Sequence, residues 1–303
     1  MNADLHEYMT VGIVHFMAFP ETMKGDGPIL ESIAKIANDT FFGAIELGPI
    51  NDGATREKVR DLLACARLAV GFGAQPIQLG NKLDVNSADD ARRREAVDRL
   101  KGAVDVAYEL GAARMALLSG PDPGEDGRPA ATRRLVESIV ELSDYAASKG
   151  EMPLVLETFD RTIDKKSLIG PVAEAVEVSR AVREKHPKFG LMLDLSHLPL
   201  QFESVRDALP IAKDHLVHAH VGNCVLKPGH PQYGDLHPRF GMPGGENDTV
   251  QLAEFLRVLI DVGYLAKGGS NIVAFEVRPH GTDTSEAVIA NAKRTLEAAW
   301  RMI

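Results

Sequence analysis

Short apolar runs recur along the chain at Val11 to Met17, Gly43 to Leu47, Phe72 to Leu79, Arg114 to Leu118, Leu154 to Glu157, Gly190 to Asp194, Val217 to Val221 and Ile272 to Val277. Runs this short, rich in Val, Ile and Leu and lacking polar alternation, read as parallel strands buried on both faces. Parallel neighbours need a crossover between them, and the intervening segments have helical period. Leu252, Phe255, Leu256, Leu259 and Ile260 fall at i, i+3, i+4, i+7 and i+8 on one stripe, and Val97, Leu100, Val104 and Ala107 repeat the pattern. Ser87 and Asp283 are the expected N-caps, and Gly111 and Gly150 the expected stops before the fourth and fifth strands. Eight alternations with no Pro/Gly/Ser linker between halves predict a single (β/α)8 TIM barrel over residues 1–303. No Gly-x-Gly-x-x-Gly follows the first run, which argues against a dinucleotide-binding doubly wound sheet.

Four of the runs end on polar residues: Glu157 after Leu154-Val155-Leu156, Asp194 after Leu191-Met192-Leu193, His220 within Val217 to Val221, and Glu276 after Ile272 to Phe275. A buried strand end carries such groups only where something pairs with them. In a barrel the C-terminal strand ends converge on one mouth, so Glu157, Asp194, His220 and Glu276 are expected to meet. Three carboxylates and one imidazole make an oxygen-rich set suited to one divalent ion, with Mn²⁺ favoured and Mg²⁺, Co²⁺ or Zn²⁺ compatible. His15, Glu46 and Arg278 are expected at the same mouth as substrate contacts, and Tyr233 and Phe19 as shapers of a sugar-sized pocket.

Residues 223–248 have no helical period, are rich in Pro and Gly, and carry His230, Tyr233, Asp235, His237 and Arg239. A loop this long after the seventh strand is expected to serve function, with Asp235, His237 and Arg239 toward the substrate. Met242 to Gly245 reads as a turn, and His230 and His280 as solvated loop residues.

The formal net charge is −9, from 34 basic and 43 acidic residues, which speaks against a surface for nucleic-acid phosphates. Cys65 and Cys224 give no disulfide framework and suit a reducing compartment, the cytoplasm by default. Residues 1–10 lack the basic start and apolar stretch of a signal peptide, and no run reaches membrane-spanning length. A homo-oligomer is compatible with an enzyme of this size.

The set Glu157, Asp194-Leu-Ser-His197, His218-Ala-His220 and Phe275-Glu276 resembles the sugar isomerase and epimerase barrels of the xylose-isomerase-like superfamily, which includes ketose 3-epimerases, inosose-processing enzymes and the zinc endonucleases of abasic DNA. The resemblance covers nearly the whole chain. It implies that Glu157, Asp194, His220 and Glu276 bind the metal, that His197 contacts a carbohydrate substrate, and that Glu157 and Glu276 move protons beside a carbonyl through a metal-stabilised enediolate. Ketose 3-epimerases of the family carry a Glu and an Arg where this chain has Ile163 and Leu226. That departure keeps open a lyase acting on a keto sugar, either a dehydratase or the catalytic subunit of a 3-keto C-glycoside deglycosidase, which in relatives works with a smaller partner subunit. Asp235-Leu-His237 with Gly241 and Gly244-Gly245 is similar to a zinc-binding segment of the endonucleases, but Glu46, Gln78 and Ser119 stand where those enzymes place further ligands.

Overall fold

The strands are joined in the order β1-β8-β7-β6-β5-β4-β3-β2, every pairing parallel, in a computed structural model that describes residues 3–303. Their ranges are β1 (Thr10–Ile13), β2 (Ala44–Leu47), β3 (Ala69–Gly73), β4 (Arg114–Leu118), β5 (Leu154–Glu157), β6 (Gly190–Asp194), β7 (Leu216–Gly222) and β8 (Ile272–Glu276). The Val14–Glu46 bridge and a hydrogen bond from the Gly43 amide to the Val11 carbonyl bring β1 against β2, so the eight strands form a nearly closed barrel. The helices are α1 (His15–Ala18), α2 (Ile29–Ala37), α3 (Gly53–Ala66), α4 (Gln75–Gly80), α5 (Asp90–Glu109), α6 (Arg128–Ala147), α7 (Val172–Arg183), α8 (His197–Leu200), α9 (Val205–Ala212), α10 (Thr249–Asp261) and α11 (Ser285–Arg301). The TIM barrel expected from the alternation is the observed fold.

Strand alternation sorts the apolar runs into two layers. Leu154, Leu156, Leu191, Leu193, Ala219, Val221, Val273 and Phe275 join the main core between barrel and helices. The alternate residues face inward: Ala116, Val155 and Met192 form one small interior cluster, and Ala44, Ile272 and Ala274 another. Two residues along each strand from Val155, Met192, His218 and Ala274, on the same inward face, stand Glu157, Asp194, His220 and Glu276. Gly12 is required at this interior, since a Cβ there would lie 3.1 Å from both Ala274 Cβ and Ile272 Cγ2.

Boundaries shift where local chemistry overrides the apolar pattern. The run from Phe72 to Leu79 is strand only to Gly73; Pro76 has no amide for a sheet ladder, but it fits the first turn of α4. Likewise β1 stops at Ile13, and His15 opens α1. The cap of α5 is Asp89 rather than Ser87, whose hydroxyl instead accepts from the Asp89 amide at 3.2 Å. Thr284 rather than Asp283 caps α11. Gly111 adopts a left-handed φ of 74° just after α5, as a helix stop should. Gly150 acts by packing, because a Cβ there would lie 2.8 Å from the Tyr108 ring.

His15 does not face the mouth. Ser32 gives its proton to the Pro28 or Ile29 carbonyl, so His15 Nε2 donates to Ser32 Oγ at 2.8 Å, beneath α2. Phe19 packs beside His15, with ring centres 5.6 Å apart, and is likewise outside the mouth. Burial lowers the His15 pKa from 6.5 to about 3, so the folded imidazole is neutral. Below pH 6.5 the unfolded chain takes up a proton that the folded chain refuses until about 3, so stability falls across that window as pH drops. In melting curves taken through the window, His15→Gln is expected to lose less stability on acidification than the parent, by an amount on the order of a few kcal/mol. Parallel pH profiles would show that His15 is not the coupled group.

Candidate metal centre

Glu157, Asp194, His220 and Glu276 offer ligand atoms that all lie within 4.8 Å of one another, and all four residues are buried. Each comes from the last inward position of its strand or, for His220, from two residues before the end of β7. Glu157 Oε2 accepts from Gln75 Nε2 at 2.7 Å, while its Oε1 has no hydrogen-bond partner. Asp194 Oδ1 accepts from the Ser196 amide at 2.6 Å, while its Oδ2 has none. His220 Nδ1 lies 2.7 Å from Glu276 Oε2 and 3.6 Å from Glu157 Oε1. Burial raises the Asp194 carboxyl pKa, and the nearby Glu276 adds to the effect. Three buried carboxylates around one point call for a cation, and the bare oxygens of Glu157 and Asp194 face that point. The donor set therefore fits a divalent ion.

Beneath this group a second set of polar contacts fixes the imidazole. Arg114 Nη1 lies 3.1 Å from His218 Nδ1, and His218 Nε2 lies 2.7 Å from Glu46 Oε1. Arginine only donates, so Nδ1 of His218 accepts and Nε2 carries the proton toward Glu46. Burial keeps His218 on the neutral side of its ordinary range, in agreement with that tautomer. Glu46 also accepts from His220 Nε2 at 2.9 and 3.0 Å, which leaves His220 Nδ1 turned toward the carboxylates above. Burial pushes the Glu46 carboxyl up, but His220 and His218 outweigh it and hold the group well below the usual range. Glu46, expected at the substrate, is thus buried below the metal group as a prop for its imidazole.

A neighbouring set lies on the loop side. Asp194, His197 and His237 also converge within 4.8 Å. Asp235 Oδ1 is 2.8 Å from His237 Nε2 and 3.2 Å from His197 Nε2, and its Oδ2 is 3.0 Å from Lys165 Nζ. Burial pushes Asp235 up, yet His237, His197 and Lys165 together hold it far below the usual range. His197, with Nδ1 2.8 Å from the Thr158 carbonyl, is fully buried and absent from the cavity wall, so its contact is with Asp235. Arg239 lies off the cavity, its Nη1 directed at the Phe240 carbonyl at 3.4 Å. Tyr233 is also off the cavity wall and 38 % exposed. Gln78 clasps both backbone groups of Leu118, and Ser119 Oγ accepts from the Ile169 amide, so neither is free to ligate.

A cavity of about 700 Å³ lies against this group, with Glu276, His237, Asp235, Lys165, Gln75 and Arg278 among its lining residues. Gln75 and Lys165 were not among the residues expected there. Gln75 sits inside a stretch that reads as strand, and Lys165 belongs to an irregular segment after β5 whose place depends on Asp160, whose carboxylate accepts from the amides of Ile163, Asp164 and Lys165. The loop from 223 to 248 is pinned by the Val225–Gly234 bridge and by Asn247, which donates to the Leu195 and Gly222 carbonyls.

Residues 35–299 match the family described as xylose isomerase-like TIM barrel. The fold is similar to that of an L-ribulose 3-epimerase, at 18% identity over 96% of each chain with a TM-score of 0.70. It is similar to the apo form of 3-keto-D-glucoside 4-epimerase from E. coli, at 18% identity over 95% of this chain and 98% of that one, TM-score 0.66. A zinc-bound IolI protein aligns at 16% identity over 97% and 99% of the chains, TM-score 0.71. No curated protein sequence matches the chain.

Glu46→Ala removes the group that turns His220, and calorimetric titration of Mn²⁺ is expected to show an affinity about 10–100-fold weaker than that of the parent. Equal affinities would mean that the imidazole holds its orientation unaided.

Proposed function

This chain belongs to the xylose isomerase-like TIM barrel family, and on that premise we propose that it is a divalent-metal-dependent isomerase or epimerase of a keto sugar or related polyol. The observation that carries the reading is the pair Glu157 and Glu276, buried within 4.8 Å of Asp194 and His220 at the floor of a cavity that Glu276 lines. A divalent ion held by Glu157, Asp194, His220 and Glu276, with Mn²⁺ favoured, supplies fixed positive charge that acidifies the carbon beside a carbonyl. One of Glu157 and Glu276 removes that proton, and the other returns one to the opposite face or to the adjacent carbon. Gln75, fixed on Glu157 Oε2, leaves Oε1 as the free edge of that carboxylate. Arg278 lines the cavity and orients substrate oxygens, while Asp235 and His237, steadied by Lys165 and His197, border the same space. Leu236 and His237 come from the pinned loop and help keep water from the reacting carbon.

The test is solvent deuterium incorporation at the carbon beside the carbonyl, followed by mass spectrometry over a panel of ketoses, inososes and keto-glycosides. Exchange is expected with at least one of them, and Glu276→Gln is expected to slow it by about 10²–10⁴-fold. No exchange across the panel would overturn the reading. Ile163 and Leu226, at the positions where the ketose epimerases of the resemblance carry Glu and Arg, favour one variant reaction, expulsion of a group β to the carbonyl. Product mass separates the two, since isomerisation conserves it and elimination does not.

A further inference from the structure

We infer that Gln75 is a specificity-determining residue of this site: its side-chain oxygen receives a hydrogen bond from a substrate hydroxyl, while the other end of the same amide holds Glu157. This role rests on the keto-sugar reading of the metal centre and deepens it, because it ties recognition of one hydroxyl to a carboxylate that moves protons.

The orientation of the amide follows from chemistry. Gln75 Nε2 lies 2.7 Å from Glu157 Oε2. An ionised carboxylate only accepts, so the NH₂ end must face Glu157 and the oxygen must point elsewhere. That oxygen has no partner, although Gln75 is only 8 % exposed and lines the cavity. A buried carbonyl oxygen stripped of water destabilises the site until a donor reaches it. Its neighbours supply none. A Cβ at Gly73, the last residue of β3, would lie 2.8 Å from Gln75 Oε1 and 3.0 Å from Phe16 Cε1 and Cζ, so the oxygen rests beside a bare glycine and an aromatic ring.

On the same helix a second glutamine is used at both ends. Gln78, three residues on and on the same face of α4, donates from Nε2 to the Leu118 carbonyl at 2.8 Å and accepts at Oε1 from the Leu118 amide at 2.9 Å. Those bonds tie α4 to β4, and Pro76 fixes the first turn of the helix. Gln75 therefore stands on a rigid support, and its amide needs no reordering to meet a ligand. Gln78, satisfied by protein alone, is absent from the cavity wall; Gln75, satisfied at one end only, is part of it. A planar amide keeps its two ends close, so the hydroxyl received by Oε1 sits on a carbon near the one that Glu157 addresses. A ligand lacking that hydroxyl leaves the oxygen buried and unpaired, which is the condition under which a site rejects a near-isostere.

The probes are D-fructose, L-ribulose and scyllo-inosose, each with its monodeoxy analogues, titrated by calorimetry into the Mn²⁺-saturated protein. In the parent, loss of one particular hydroxyl is expected to weaken binding about tenfold or more. Gln75→Met removes both ends of the amide, whereas Gln75→Lys keeps a donor for Glu157 and offers the ligand no acceptor. In each variant whose melting temperature shows it folded, the ratio for that one deoxy position is expected to fall to near one, while the ratios at other positions persist. A variant that weakens every ligand alike and keeps every ratio shows that Gln75 serves only to hold Glu157, and overturns the assignment. Solvent exchange is read beside binding: exchange in the parent with unchanged ratios in the variants strikes the role of Gln75 alone. No binding and no exchange with any probe strikes the keto-sugar reading, and the role of Gln75 with it.

Discussion

The arrangement depends on the confinement of like charge. The inward faces of β5, β6 and β8 bring three carboxylates to one point inside a protein core, where water cannot screen them. Such a group persists only if positive charge is supplied, and the surroundings are organised to that end. One imidazole enters from β7, and one oxygen each of Glu157 and Asp194 stays bare. The barrel contributes rigidity: each charged side chain is two residues above a packed interior neighbour, so none can withdraw without disturbing the core beneath it.

A ladder of polarity descends from that point through the barrel. His220 leans on Glu46, Glu46 on His218, and His218 on Arg114, whose guanidinium also reaches the Val217 carbonyl. The tautomers follow from one end, because arginine has only protons to give. Orientation of the His220 Nδ1 toward the carboxylates is thus set by residues that do not line the cavity. A carboxylate on β2 and an arginine on β4 share in defining a site that appears, from the strand ends alone, to belong to β5 through β8.

Much of this was legible in the residues. The bounds of β4, β5 and β6 coincide with their apolar runs, since each run is strand and nothing else. The convergence of Glu157, Asp194, His220 and Glu276 followed from strand-end position in a barrel. What could not be read was direction in short irregular pieces. His15 and Glu46 both lie near the mouth in sequence terms, but one turns under α2 to Ser32 and the other points to two imidazoles. Pro76 redirects a stretch with strand-like composition into α4, and only that turn brings Gln75 to Glu157. Lys165 depends on a loop wrapped around the Asp160 carboxylate, a tertiary contact with no periodic signature.

The single hydrogen bond from Gln75 to Glu157 gives the two walls of the cavity unequal freedom. On the α4 side, Gln75 lines the cavity and also holds Glu157, so any reshaping of the helix drags on that carboxylate. Met17, Met23 and Ile50, which follow β1 and β2, are apolar cavity-lining residues outside the cluster of Glu157, Asp194, His220 and Glu276, and that part of the wall is the one on which drift in sequence can reshape the cavity while the cluster is kept.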